Sequence, residues 1–139
     1  MEQSIYIIKP EATIFRAEII RMIEEAKLKV EDKKDLVLPE QALRVLYPDL
    51  SADLWNATFL SFVAPIQIGL VTGEDAVKVL FRLAGKKTAP SECGSKTIRF
   101  IFGRKEPFVI GDIKYYANAI HRSKNKREAR KDIEVFQGL

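Results

Sequence analysis

The sequence holds a single histidine, His121, in the run Asn118-Ala119-Ile120-His121-Arg122-Ser123. An unperturbed imidazole has a pKa of about 6.5, so near pH 7 it is mostly neutral and can attack an electrophilic phosphorus. Basic residues collect in the same half of the chain, at Lys86-Lys87, Arg99, Arg104-Lys105 and most densely from Arg122 to Lys131. Phosphoryl transfer depends chiefly on positioning and on cations that stabilise charge at phosphate oxygens, so a neutral imidazole among cations suits that chemistry. A lone histidine is more often a surface or hydrogen-bonded structural residue, and its neighbours must decide. Lys9, just before Pro10, is either a plain exposed lysine or a cation projecting from the edge of a core. Trp55 lies among the apolar positions of its segment and is either a core tryptophan or a stacking platform.

These residues need elements to position them. Ser4 to Ile8 reads as a β-strand ended by Pro10, and Ile19, Ile20, Ile23 and Ala26 recur at helical spacing over about Ala17 to Ala26. Lys29 to Leu38 reads as a second strand. Pro39 opens a short helix through Leu43 and Leu46. Another helix begins with Ser51 or Asp53 as its cap and carries Leu54, Trp55, Phe59 and Phe62. Ile66 to Val71 is nearly all apolar and predicts a central strand, followed by a turn at Thr72-Gly73. Glu74 to Ala84 predicts a helix stopped by Gly85. Lys86 to Lys96 reads as an irregular loop, and the apolar runs Ile98 to Phe102 and Phe108 to Ile110 as a hairpin. Tyr115 to Ser123 contains the last core strand, and Lys124 to Phe136 a final charged helix. That order points to an α/β (α+β) ferredoxin-like sandwich, an antiparallel sheet of about four strands with helices packed on one face.

A chain of 139 residues with 47% hydrophobic content can bury one substantial core and is expected to form one domain over 1–139. No apolar run approaches the roughly 20 residues that cross a bilayer, so neither membrane insertion nor secretion is expected and the cytoplasm is the expected location. Cys93, the only cysteine, excludes an internal disulfide framework and a multi-cysteine metal site. Its polar setting reads as that of an incidental loop thiol. The net charge of +4 suits anionic ligands.

Ile7-Ile8-Lys9-Pro10, Thr97-Ile98-Arg99, and Asn118-Ala119-Ile120-His121 followed by Ser123 resemble, in order and spacing, the signature segments of nucleoside diphosphate kinases, over about Ser4 to Phe136. The resemblance implies Mg²⁺-nucleotide substrates, ATP or another nucleoside triphosphate among them, and a ping-pong transfer of the γ-phosphoryl group through a phosphohistidine. It makes His121 the nucleophile, with Ser123 beside it in the catalytic group. It makes Lys9 a contact to phosphate and sugar hydroxyl, and Tyr47 the tyrosine whose hydroxyl approaches the transferring group. Arg82, Thr88 and Arg99 match its phosphate ligands, Asn118 its sugar contact, and Trp55 the aromatic on which the base stacks, which implies broad base tolerance. Asp132 stands where the family has a glutamate bonded to the far imidazole nitrogen, and on its own residues is equally one charge on a solvated helix. Magnesium is implied to travel with the nucleotide phosphates rather than on protein ligands. A homo-oligomer is implied, a hexamer by the family's habit, with dimer or tetramer open.

Several positions depart from the family pattern. Arg122 replaces its glycine, Lys124 its acidic residue, and Phe100-Ile101 its glycine-aspartate pair. Arg122 and Lys124 are expected to add positive charge beside the nucleophile. The region around 100–117 is longer than the family's and is expected to cover the nucleotide or alter subunit packing. Two other functions fit the residues: a nucleotide-binding regulator of the same fold with little turnover, and, less favoured, a nucleic-acid-binding domain using the basic last helix.

Overall fold

The computed structural model describes residues 1–139. Strands β1 (Glu2–Ile8), β2 (Lys29–Leu36), β3 (Ile66–Gly73) and β6 (Ile120–Arg122) form an antiparallel sheet in the order β2-β3-β1-β6. A separate hairpin pairs β4 (Phe108–Ile110) with β5 (Ile113–Tyr115). The helices are α1 (Arg16–Glu25), α2 (Glu40–Leu46), α3 (Ala52–Ser61), α4 (Ala76–Ala84), α5 (Ile98–Phe102) and α6 (Lys126–Gln137). With α1 between β1 and β2, and α4 between β3 and β6, the frame is the expected ferredoxin-like one.

Side chains alternate across a strand, and β1 is buried on both sides. Tyr6 and Ile8 join Val71 and Ile120 against Ile19 and Ile23 of α1 and Leu80 of α4. Ile5 and Ile7 join Ile66 and Ile68 against Leu43 and Leu46 of α2, Phe62 and Phe136. Each enclosed isoleucine contributes about 2 kcal/mol. The helices therefore cover two faces rather than the expected one. The physical reason is that two central strands apolar on both sides cannot leave either side wet. The outer strand β2 carries Glu31, Asp32, Lys33 and Lys34, charges that guard a free edge against further pairing.

Two local expectations are corrected. Ile98 to Phe102 is helical, because Thr97 caps it: its Oγ1 accepts the Phe100 N–H at 3.3 Å while donating to the Gly94 carbonyl at 2.7 Å. The hairpin partner of Phe108–Ile110 is consequently Ile113–Tyr115, which lies outside the core sheet. The last core strand, expected within Tyr115 to Ser123, is there as Ile120–Arg122. Thr72-Gly73 remains in β3, since Gly73 pairs with Glu2 at the start of β1; the turn falls at Glu74-Asp75, with Asp75 at φ 52°. Pro10–Phe15, unassigned by periodicity, forms a 3-10 turn before α1.

Candidate active site

In β6, His121 pairs with Ile7 and so emerges on the α6 side of the sheet, whereas Ile120 and Arg122 emerge on the α1 and α4 side. Helix α6 is started by Asn125, whose Oδ1 accepts the Glu128 N–H at 2.8 Å. Its inward residues are Ala129, Asp132 and Phe136, at helical spacing. That spacing brings Asp132 behind the imidazole. Asp132 Oδ2 accepts the Ser123 hydroxyl at 2.8 Å and lies 3.2 Å from His121 Nε2. A carboxylate offers only acceptors, so the ring proton belongs on Nε2 and the Nδ1 lone pair is free.

His121 is buried, and that burial lowers its pKa below the ordinary value. Asp132 and Glu128 oppose the shift and Arg99 adds to it. The Tyr47 ring meets the imidazole edge-on, with centroids 5.2 Å apart. His121, Glu128 and Asp132 bring their ligand atoms within 4.8 Å of one another, so a metal ion held there would compete with the bond that fixes the ring.

Lys9 leaves the end of β1 and is only 4% exposed. It makes no ion pair; its ammonium instead lies 5.6 to 5.9 Å from the ring centres of Tyr47, Phe62 and Tyr115. Burial pulls its pKa down to about 8, opposed by Glu11 and reinforced by Arg99 and Arg122, so it still carries its charge at pH 7. The Lys9 N–H donates to the Ala119 carbonyl at 2.8 Å. Ala119 has φ 73°, and the Ile120 N–H donates to the Asn118 carbonyl at 2.9 Å, a γ-turn in a residue type that rarely adopts it. Glu11 secures the turn by accepting the Ala119 N–H at 3.1 Å.

Four consecutive carbonyls from Gly85 to Thr88 are held by side chains from across the chain. Arg122 donates to Gly85 and Lys86 at 3.0 and 3.2 Å, Arg99 to Lys87 at 2.8 Å, and Asn118 to Thr88 at 3.1 Å. Arg99 also forks onto the Ile120 carbonyl at 3.2 and 2.9 Å. Burial and the nearby Arg122 bring the Arg99 pKa to about 10, which leaves it charged at neutral pH. Cys93 is buried and its Sγ lies 3.3 Å from the Lys87 carbonyl and 3.6 Å from that of Ala89, which share its one proton, so this thiol braces the same segment instead of lying loose on a loop.

These groups surround a cavity of about 500 Å³. Lys9, Tyr47, Thr88, Arg99, Asn118 and His121 line it, while Asp132 and Ser123 sit behind the imidazole. Lys86, Lys114, Arg122, Lys124 and Lys131 add further positive charge, with Glu128 as the one carboxylate. Asn118 Oδ1 is buried without a partner.

The family model for nucleoside diphosphate kinase matches residues 2–138. The chain belongs to the nucleoside diphosphate kinase family. No curated protein matches it by sequence. Among solved structures it is similar to the nucleoside diphosphate kinase of Encephalitozoon cuniculi at 24% identity and TM-score 0.76, covering 100% of this chain and 90% of that one. The enzyme of Aquifex aeolicus gives 22% identity and TM-score 0.77, covering 97% and 94%. The nucleoside-diphosphate kinase of Borrelia burgdorferi, a transition state mimic with bound vanadate and ADP, gives 22% and 0.73, covering 97% and 86%. At these identities the structural likeness speaks for the fold.

Two residues matched to the family's site are not gathered into the cavity of this member. Arg82 is exposed on α4 and borders a separate depression with Glu2 and Asp75. Trp55 packs against the core around Tyr47, with the Arg44 guanidinium 4.0 Å from its ring centre; its neighbour Leu54 reaches the cavity instead. Arg122 contributes its charge to the cavity lining, but not from beside the imidazole. It turns to the opposite face, over Phe81 at 4.5 Å, and is not among the groups that shift His121. Lys114, Tyr115, Lys131 and Glu128 were missed as lining residues. The dense basic run at 122–131 hinted at one of them, and the expectation that the region around 100–117 covers the nucleotide pointed to the hairpin without singling out Lys114 or Tyr115.

No helix is long and apolar enough to cross a membrane.

Proposed function

We propose that this family member transfers the γ-phosphoryl group of a nucleoside triphosphate to a nucleoside diphosphate through phospho-His121. The observation that carries the proposal is the Nε2 bond to Asp132, which leaves Nδ1 unprotonated at a cavity lined by cations. The Nδ1 lone pair attacks the γ-phosphorus, the bond from phosphorus to the bridging oxygen breaks, and the diphosphate leaves with that electron pair. In the second half, a terminal oxygen of an incoming diphosphate attacks the same phosphorus and the P–N bond returns its pair to Nδ1. The Nε2 proton stays in place throughout, directed at Asp132, while Ser123 orients that carboxylate.

Lys9 and Arg99 supply positive charge to the phosphate oxygens, Thr88 a hydroxyl, and Tyr47 a hydroxyl beside the transferring group. The uncommitted Oδ1 of Asn118 suits a sugar hydroxyl, which can donate to it. Magnesium enters with the nucleotide. A cavity with one carboxylate and many lysines is no cage for that ion, but it matches a ligand that brings its own magnesium on its phosphates. With Trp55 outside the cavity, the base meets Leu50 and Leu54, apolar groups that read no base edge; broad base tolerance follows from this rather than from stacking on the indole. The ADP and vanadate held by the Borrelia burgdorferi relative support a nucleotide and phosphoryl reading. Self-association and a cytoplasmic location complete the proposal.

Incubation with Mg²⁺ and γ-labelled ATP is expected to put acid-labile label on His121, and added diphosphate to remove it. Nucleotide binding without label, or acid-stable label on Ser123, contradicts the mechanism.

A further inference from the structure

Tyr115 lies on β5, in the stretch between Arg99 and Asn118. The hairpin is closed at its base by the Arg104 N–H donating to the Ala117 carbonyl at 2.8 Å. At its inner end the Tyr115 hydroxyl lies 2.6 Å from Ser61 Oγ at the end of α3. Ser61 spends its own proton on the Thr58 carbonyl at 2.7 Å, so the phenol is the donor in that pair. The bond docks the hairpin against α3 and turns the Tyr115 ring towards the cavity, its centre 5.6 Å from the Lys9 ammonium.

A buried ammonium without a carboxylate partner needs another source of negative potential, and aromatic faces within about 6 Å provide it. Tyr47 offers one from the end of α2, and Phe62 a second from the end of α3. The third comes from the hairpin. We propose that Tyr115 is a positioning residue for Lys9, completing a box of three rings that holds the ammonium in the cavity, facing the nucleotide phosphates. The last clause rests on the nucleotide reading given above; the box itself does not.

The other ionisable groups around Lys9 are Glu11 from the 3-10 turn, Arg99 from α5, His121 and Arg122 from β6, and the Tyr47 phenol. Glu11 is the only acid among them, and one of its oxygens is committed to the Ala119 N–H. The lowered pKa of Lys9 agrees with an enclosure that excludes water more than it supplies countercharge.

The test replaces Tyr115 with Phe and then with Phe carrying one, two and three ring fluorines. These side chains are almost equal in volume, and fluorination drains the negative potential of the ring face. The titration midpoint of the Lys9 side chain, followed by carbon NMR at Cε, is expected to fall with each fluorine. The Mg·ATP concentration that half-saturates His121 labelling is expected to rise about tenfold across the series. A midpoint that stays fixed overturns the proposal, as does labelling whose half-saturation is flat along the series. A midpoint that moves in a protein that takes no label supports the box and removes the nucleotide reading instead.

Discussion

His121 and Arg122 are neighbours on a three-residue strand, both buried, and their roles diverge because the strand sends them to opposite faces. His121 turns to α6, where Asp132 takes one ring nitrogen and leaves the other at the cavity. Arg122 turns to α4, where its guanidinium is spent on the Gly85 and Lys86 carbonyls. Gly85, at φ 120°, ends α4 there. One residue keeps an unsatisfied lone pair and is available for chemistry. The other commits Nε and Nη2 to backbone carbonyls and secures the segment that carries Thr88. Burial and charge together do not separate the reacting imidazole from its structural neighbour; the partners each side chain meets on its own face do.

On this division, His121→Gln is expected to abolish phosphoenzyme formation, lowering the labelling rate by at least about a thousandfold, with thermal unfolding little changed. Asp132→Ala sharpens the same side of the comparison. The ring then loses the acceptor that fixes its tautomer, and single-turnover labelling is expected to slow by about ten- to a hundredfold. Ser123→Ala, which removes one of the two donors to Asp132 Oδ2 and leaves the imidazole bond, should cost less.

The pH profile tests the cavity side without substitution. His121 has a lowered pKa, so the acid limb of labelling lies below about 6.5. Lys9 is needed as a cation and loses its proton near pH 8, so the rate is expected to be about tenfold lower at pH 9 than at pH 7. The sign for stability is the opposite one. Because the folded-state pKa of Lys9 is depressed, the unfolded chain binds the extra proton between about pH 8 and 10.5, and this residue's contribution to stability rises across that window.

The smallest catalytic effect belongs to the structural side. Arg122→Ala should keep the maximal labelling rate within about threefold while lowering stability by about 2 kcal/mol, or about 8 °C in Tm, measured by calorimetry. A large fall in rate without loss of stability would merge the two roles that the strand separates.

The frame of four strands and its alternation with helices was legible, because β1 and β3 are long apolar runs and α4 keeps its inward residues at a steady helical period. Ile98 to Phe102 was misread because five apolar residues fit a buried strand or a helical turn equally well; the decisive signal was Thr97 as a cap, one residue earlier. Arg82 lies off the buried stripe of α4, which is Ala76, Val77, Leu80 and Ala84, so the helical period puts it on the exposed side. The surroundings of Lys9 could not have been read locally. Its three rings come from positions 47, 62 and 115, which only the tertiary fold brings together.

The central claim concerns one nitrogen. Protein labelled with ¹⁵N at histidine, phosphorylated from Mg·ATP and observed by NMR, should show phosphorus coupled to Nδ1 of His121 while Nε2 keeps its proton. Phosphorus on Nε2, or a spectrum of His121 unchanged by ATP, would contradict the account.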